Sequence, residues 1–237
     1  MLIVSAHAAD FVWRAGGAAA LYSAAGARVT VACLSYGERG ESARLWRQGL
    51  GLEEIKQERR KEAERAAEVL GAELRCFDAG DYPLTETPQL LGGLIDLYRE
   101  LQPTLVLTHS ERDPYNMDHG VAFQLATRSR VLAQAPGVRP GSAPIGAPPV
   151  FCFEPHQTEM SGFKPDLLLD ITPCWERKHD AMRAMKGQEH LWDYYAAVAS
   201  VRGVQLVRNS SANLGHATSA KAEAYQRVYP AVCTEFA

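Results

Sequence analysis

Ser5-Ala6-His7-Ala8-Ala9-Asp10 places an imidazole and a carboxylate three residues apart, just beyond a short apolar run. On a first helical turn that spacing lets both side chains face one ion. The plainer alternative is that Asp10 caps a helix and His7 is an ordinary polar residue. A second segment, from His109 through Asp113, Asn116 and Asp118 to His119, is dense in ligand-type side chains. Two histidines and one carboxylate on an open face make a catalytic rather than a structural zinc site, because a position is left for water. Asp118 could orient an imidazole from behind, whereas Asp113 is expected only to cap a turn or helix. Such a donor set favours zinc, with manganese or iron as alternatives.

These residues need a frame, and the chain alternates short β-rich runs with helical stretches, the pattern of a parallel sheet covered by helices. Strands are expected over Leu2–Ala6, Arg28–Leu34, Glu73–Phe77, Thr104–Thr108, Val150–Phe153 and Asp166–Ile171. Helices are expected over Arg14–Ala25, Glu53–Leu70, Pro88–Leu101, Asp118–Gln134, Pro173–Lys186 and Leu191–Val201, with an irregular C-terminal segment and a surface loop over Pro136–Pro149. Charged or imidazole groups follow five successive strands: His7 and Asp10, Glu38 and Glu41, Asp81, His109, and Glu154 with His156. Ligands of open parallel sheets sit beyond the carboxyl ends of the strands, so a site is expected there.

The 237 residues fit one α/β domain over 1–237, 46% hydrophobic and 22% charged. A net charge of −3 gives no basic field to attract nucleic acid or anionic membrane. The five cysteines are scattered and odd in number, which indicates neither a disulfide framework nor a cysteine zinc site. No run reaches the roughly 18 apolar residues of a membrane span, and the first strand runs straight into polar residues, so a cytoplasmic location is expected.

Ala6-His7-Ala8-Ala9-Asp10, Gly37-Glu38 and Asn116-Met117-Asp118-His119 resemble the LmbE-like (PIG-L-type) zinc deacetylases, with their A-H-P-D-D, G-E and H-x-D-H motifs. The resemblance runs through the whole chain. It implies a Rossmann-like, mostly parallel sheet flanked by helices, one zinc ion held by His7, Asp10 and His119, and a homo-oligomer. Two departures matter. Ala9 stands where the deacetylases carry their general base, and Asn116 where a histidine assists the tetrahedral intermediate. Further motifs, Leu34-Ser-Tyr-Gly-Glu-Arg-Gly-Glu-Ser42, Asp113-Pro-Tyr-Asn116, Phe153-Glu-Pro-His-Gln157 and Gly187-Gln-Glu-His-Leu-Trp192, resemble the 4-oxalomesaconate hydratases of the same superfamily. These act in the bacterial breakdown of gallate and protocatechuate. The resemblance implies addition of water to a conjugated tricarboxylate; a deacetylase of an acetylated sugar or small amide with a replacement base is the alternative.

Such a hydration needs a polarised substrate, an activated water and a proton donor. Glu38 or Glu41 is expected as the base, and His156, with a pKa near the working pH, as the acid. His109 and His190 are weaker candidates, and His179 and His216 are expected at the surface. Three substrate carboxylates demand cations; Arg14, Arg39 and Arg112, beside the metal motifs, are expected to bind them along with Asn116, with Arg44 in reserve.

Overall fold

The computed structural model describes residues 1–210 and 219–234; His216 lies outside them. In chain order the elements are β1 (Leu2–Ser5), α1 (Asp10–Ala24), β2 (Thr30–Cys33), α2 (Ala43–Arg47), α3 (Leu52–Leu70), β3 (Glu73–Cys76), α4 (Pro88–Leu101), β4 (Val106–Thr108), α5 (Met117–Gln134), β5 (Val150–Phe153), α6 (Thr158–Ser161), β6 (Leu167–Asp170), α7 (Trp175–Ala184), α8 (Trp192–Asn209) and β7 (Ala222–Arg227). The sheet order is β3-β2-β1-β4-β5-β7-β6. Strands β3, β2, β1, β4 and β5 pair parallel, and β7 runs antiparallel to both β5 and β6. This is the mostly parallel, helix-flanked sheet expected of the chain.

The central strands are buried on both faces, so their sequences run apolar without alternation. Side chains still alternate in direction. Ile3, Val31 and Cys33 join a core with α1, α3 and α7, while Leu2, Val4, Ala32 and Leu34 join a second core with α4 and α5. Gly17 lets α1 press against the chain before α7: a Cβ there would lie 2.4 Å from Ile171 Cγ2. Thr87 caps α4 by accepting from the Leu90 amide, with Pro88 in the first turn. Gly71, at φ +70°, ends α3 in the left-handed conformation.

Several features differ from the sequence expectation. Helix α1 starts at Asp10 rather than Arg14, because Asp10 already lies in its first turn and favours the helix dipole. Short α2 was not foreseen, and α8 runs to Asn209 rather than Val201. The supposedly irregular C-terminus contains β7, which slots between β5 and β6. Its Glu223 accepts from the Gly17 and Ala18 amides, Tyr225 Oη and Lys178 Nζ. A buried charge in a short run with weak alternation masks the strand signal, and only the Lys178 partner across space explains it. The chain reverses its winding between β1 and β4, which opens a crevice beyond their carboxyl ends.

Candidate active site

The crevice is floored by the residues that leave β1 and β4. His7 directly follows β1, and its Nδ1 lies 3.0 Å from Asp10 Oδ2 and 3.2 Å from Glu41 Oε1. Its other nitrogen, Nε2, lies 3.1 Å from Asp118 Oδ2. His119, in the first turn of α5, makes the matching arrangement: Nδ1 lies 2.8 Å from Asp113 Oδ2, and Nε2 lies 3.4 Å from Asp10 Oδ1. A ring nitrogen that donates to a carboxylate leaves the other as a lone pair. Both imidazoles thus turn a lone pair toward Asp10 from opposite sides.

His7, Asp10, Glu41 and His119 offer donor atoms that all lie within 4.8 Å of one another, a group able to hold a metal ion. His119 Nε2 is buried without a hydrogen-bond partner among the described residues. An orphaned imidazole nitrogen aimed at a carboxylate is what a metal ligand looks like before the ion is added. Asp113 and Asp118 then serve as the carboxylates that fix ring orientation and tautomer. Asp118 also accepts the Tyr82 and Leu84 amides.

The carboxylates that would face an ion also favour a proton on His7, which metal binding would displace. Burial alone would depress the His7 imidazole, but Glu41, Asp10 and Asp118 carry it well above its ordinary value. Burial would raise Asp10, yet His119 and His109 hold it well below the usual carboxylate range. His109 stacks on His119 at 4.1 Å, and its Nε2 accepts the Ala6 amide at 2.9 Å. That bond occupies the His109 nitrogen that faces Asp10, so His109 supports the floor and stands outside the possible ligand group. Burial and the neighbouring His119 keep it neutral, well below the ordinary histidine value.

A cavity of about 260 Å³ opens above this floor, lined in part by Arg14, Glu41, Asn116, His119, His156 and Tyr195. Among the residues singled out from sequence, His7, Asp10, Glu41, Asn116, Asp118, His119, Arg14 and His156 are brought to this one place. Glu38 is not among the lining residues: it is buried, with its carboxylate on the Tyr36 amide and the Arg39 guanidinium. Arg39 is half exposed, its amide on Asp81 and its guanidinium beside Glu38 and Asp81. Arg112 is exposed and does not line the cavity. His190 lines a neighbouring pocket with Arg44, and half-buried His179 stacks on Trp175.

Asn116 does two things that its expected substrate contact did not include. Its Oδ1 accepts the Asp118 amide and caps α5, and its Nδ2 donates to Glu41 Oε1 at 3.2 Å. Asp113, expected only as a cap, accepts the Tyr115 amide and also holds His119. In the aromatic wall, Trp13 and Tyr115 lie within runs that carry the family resemblance, whereas Tyr82 and Tyr195 carried no sequence signal, since such residues read equally well as core.

Residues 2–129 match the family described as PIG-L, GlcNAc-PI de-N-acetylase. The chain is 52% identical to the 4-oxalmesaconate hydratase of Pseudomonas putida KT2440, over 100% of this chain and 92% of that one. The crystal structure of GalB, the 4-carboxy-2-hydroxymuconate hydratase from Pseudomonas putida KT2440, superposes with a TM-score of 0.96 at 51% identity, covering 100% of this chain and 98% of that one. The N,N'-diacetylchitobiose deacetylase of Pyrococcus horikoshii shares the fold at 23% identity and a TM-score of 0.77, over 96% of this chain and 82% of that one. The chain belongs to the PIG-L (LmbE-like) family.

Proposed function

We propose that the protein is a metal-dependent hydro-lyase that adds water to 4-oxalomesaconate, giving 4-carboxy-4-hydroxy-2-oxoadipate. The observation that carries this is the 52% identity, over the whole chain, with a protein named for that hydration. 4-Carboxy-2-hydroxymuconate, in the name of the structural relative, is the enol tautomer of the same carbon skeleton. The site supports the same conclusion. Buried Ala9 offers no carboxylate, and Asn116 holds Glu41, where the deacetylase pattern has a base and a histidine.

The proposed ion is zinc, which His7, Asp10 and His119 would hold, with the Glu41 carboxylate next to them. When bound, it supplies Lewis-acid polarisation of substrate oxygen and acidifies water. Asp118 and Asp113 orient the two imidazoles, and Arg14 seats a substrate carboxylate. Glu41 and His156 share the cavity as the groups that move protons, while Glu38 drops out as a base because its carboxylate is turned to Tyr36 and Arg39. Burial and the nearby Arg14 charge hold His156 below its ordinary value. At neutral pH it is therefore a neutral imidazole, suited to taking a proton from water and then returning one to carbon. That differs from the resting acid expected from sequence. A cytoplasmic location and one catalytic domain over 1–237 belong to the proposal, and the family resemblance adds a homo-oligomer.

The test is to follow the loss of conjugated absorbance when purified protein meets 4-oxalomesaconate, identifying the product by NMR. Acetate release from N-acetylated amino sugars is measured alongside. Formation of the hydroxy acid without acetate supports the hydratase; acetate release without hydration moves the function to deacetylation.

A further inference from the structure

Tyr195 enters the cavity from α8, a helix outside the segment matched to the family, and only 6% of it is exposed. Its ring stacks on Trp13, with 5.3 Å between centroids and 6° between planes. The edges of Tyr194 and His156 approach at 5.0 and 6.4 Å. The ring is held on several sides, so its hydroxyl has a set position. The Tyr195 hydroxyl makes no hydrogen bond to a described residue and is not sealed from solvent, so it stands as a free donor in the cavity that Tyr195 lines. The charges that act on it include Arg14, Asp10 and Glu41, all of which line the cavity. Arg14 lines the same cavity; its Nε makes no hydrogen bond and lies 3.5 Å from Asp10 Oδ1, at ion-pair distance. An unpartnered hydroxyl and a buried guanidinium lining one cavity make a seat for an anionic oxygen.

We propose that Tyr195 is a catalytic residue whose hydroxyl donates a hydrogen bond to the substrate's 2-oxygen, where negative charge collects during hydration. This rests on the hydratase function proposed above. In the enol tautomer, loss of the enol proton and protonation of C5 give a 2-ketone conjugated with the C3=C4 bond. Water's oxygen then bonds to C4, water gives one proton to the base, and the C3=C4 electron pair shifts to leave an enolate on the 2-oxygen. C3 takes up a proton and the ketone re-forms, so protons balance at each stage. The charge on the 2-oxygen exists mainly while water adds, and a donor fixed there lowers that barrier more than it tightens ground-state binding. Burial raises the phenol well above its usual range, against the opposing Arg14 charge, so the hydroxyl stays a donor.

Tyr195→Phe keeps the ring on Trp13 and removes only the hydroxyl. With 4-oxalomesaconate, kcat is expected to fall about 10²- to 10³-fold, as for loss of an oxyanion donor, with KM changed less than about threefold and metal content unchanged. Titration with oxalate, which carries the paired oxygens of a 2-oxo acid, gives an independent readout. Wild type is expected to bind oxalate about 10-fold more tightly than the variant, the scale of one charge-assisted hydrogen bond. An unchanged kcat, or a rise in KM alone, overturns the assignment. Absence of hydration by the wild type refutes the hydratase separately, and equal oxalate affinity then still overturns the role of Tyr195.

Discussion

His7 and His119 each commit one ring nitrogen to a carboxylate and keep the other for the shared centre at Asp10. That division of labour makes the supporting carboxylates as testable as the ligands. Asp118→Asn is expected to weaken metal affinity about 10- to 100-fold, read by competition with a chelating dye; unchanged affinity would contradict the orienting role. Arg14 and Arg39 separate two kinds of arginine. Arg14→Ala is expected to raise KM at least about 10-fold, the scale of one charged hydrogen bond, whereas Arg39→Ala, outside the cavity, leaves KM within twofold. His156 provides the pH test. Its pKa lies below the ordinary 6.5, so it is neutral above that range and becomes protonated as pH falls. The proposed proton uptake is thus lost on the acid side. Wild-type kcat/KM should fall as pH drops below 6.5, and this limb should vanish from the residual activity of His156→Gln. An unchanged limb would remove His156 from proton transfer. His7, Asp10 and His119 were legible from sequence because two ligand-rich motifs each sit just past a strand. Asp113 was not, since a carboxylate before a proline-containing turn caps that turn whether or not it also holds an imidazole.

At the scale of elements, the cavity floor depends on α1 being held against the sheet. Glu223 of β7 accepts from two α1 amides, while Lys178 of α7 donates to the Trp13 carbonyl oxygen and to the same carboxylate. Both side chains are buried. Removing one member strands the other charge away from water, which costs about 3–5 kcal/mol. Glu223→Ala is expected to lose that much stability in urea denaturation, and replacing Lys178 with Met in the same variant should recover part of it. A loss below about 1 kcal/mol would show that the pair does not hold α1 in place. Apart from the short helices α2 and α6, the helix and strand order up to β6 could be read from period and punctuation. Strand β7 could not, because its buried glutamate has meaning only beside a lysine 45 residues away. The start of α1 was misplaced for a related reason: His7, Ala8 and Ala9 carry no capping side chain, and Asp10 serves the first turn and the site together.

For the whole molecule, the segment matched to the family, residues 2–129, contains all four members of the possible metal cluster. His156, Gln188, Leu191 and Tyr195 complete the cavity from beyond it. A possible metal cluster within the family segment and a wall contributed from beyond it fit a fold that can serve different reactions. Among the described residues no helix is long and apolar enough to cross a membrane. The sequence resemblance anticipated the reaction and, through the motifs at 153–157 and 187–192, part of the far wall, but not Tyr195, which looks like ordinary core until α8 is folded over the crevice. The central claim is that the His7, Asp10 and His119 centre drives hydration, and chelation with metal add-back tests it most directly. Stripped protein should lose turnover of 4-oxalomesaconate and regain it as about one zinc per chain is restored, as expected for a catalytic site with protein ligands and an open position. Full hydration by metal-free protein would contradict the account.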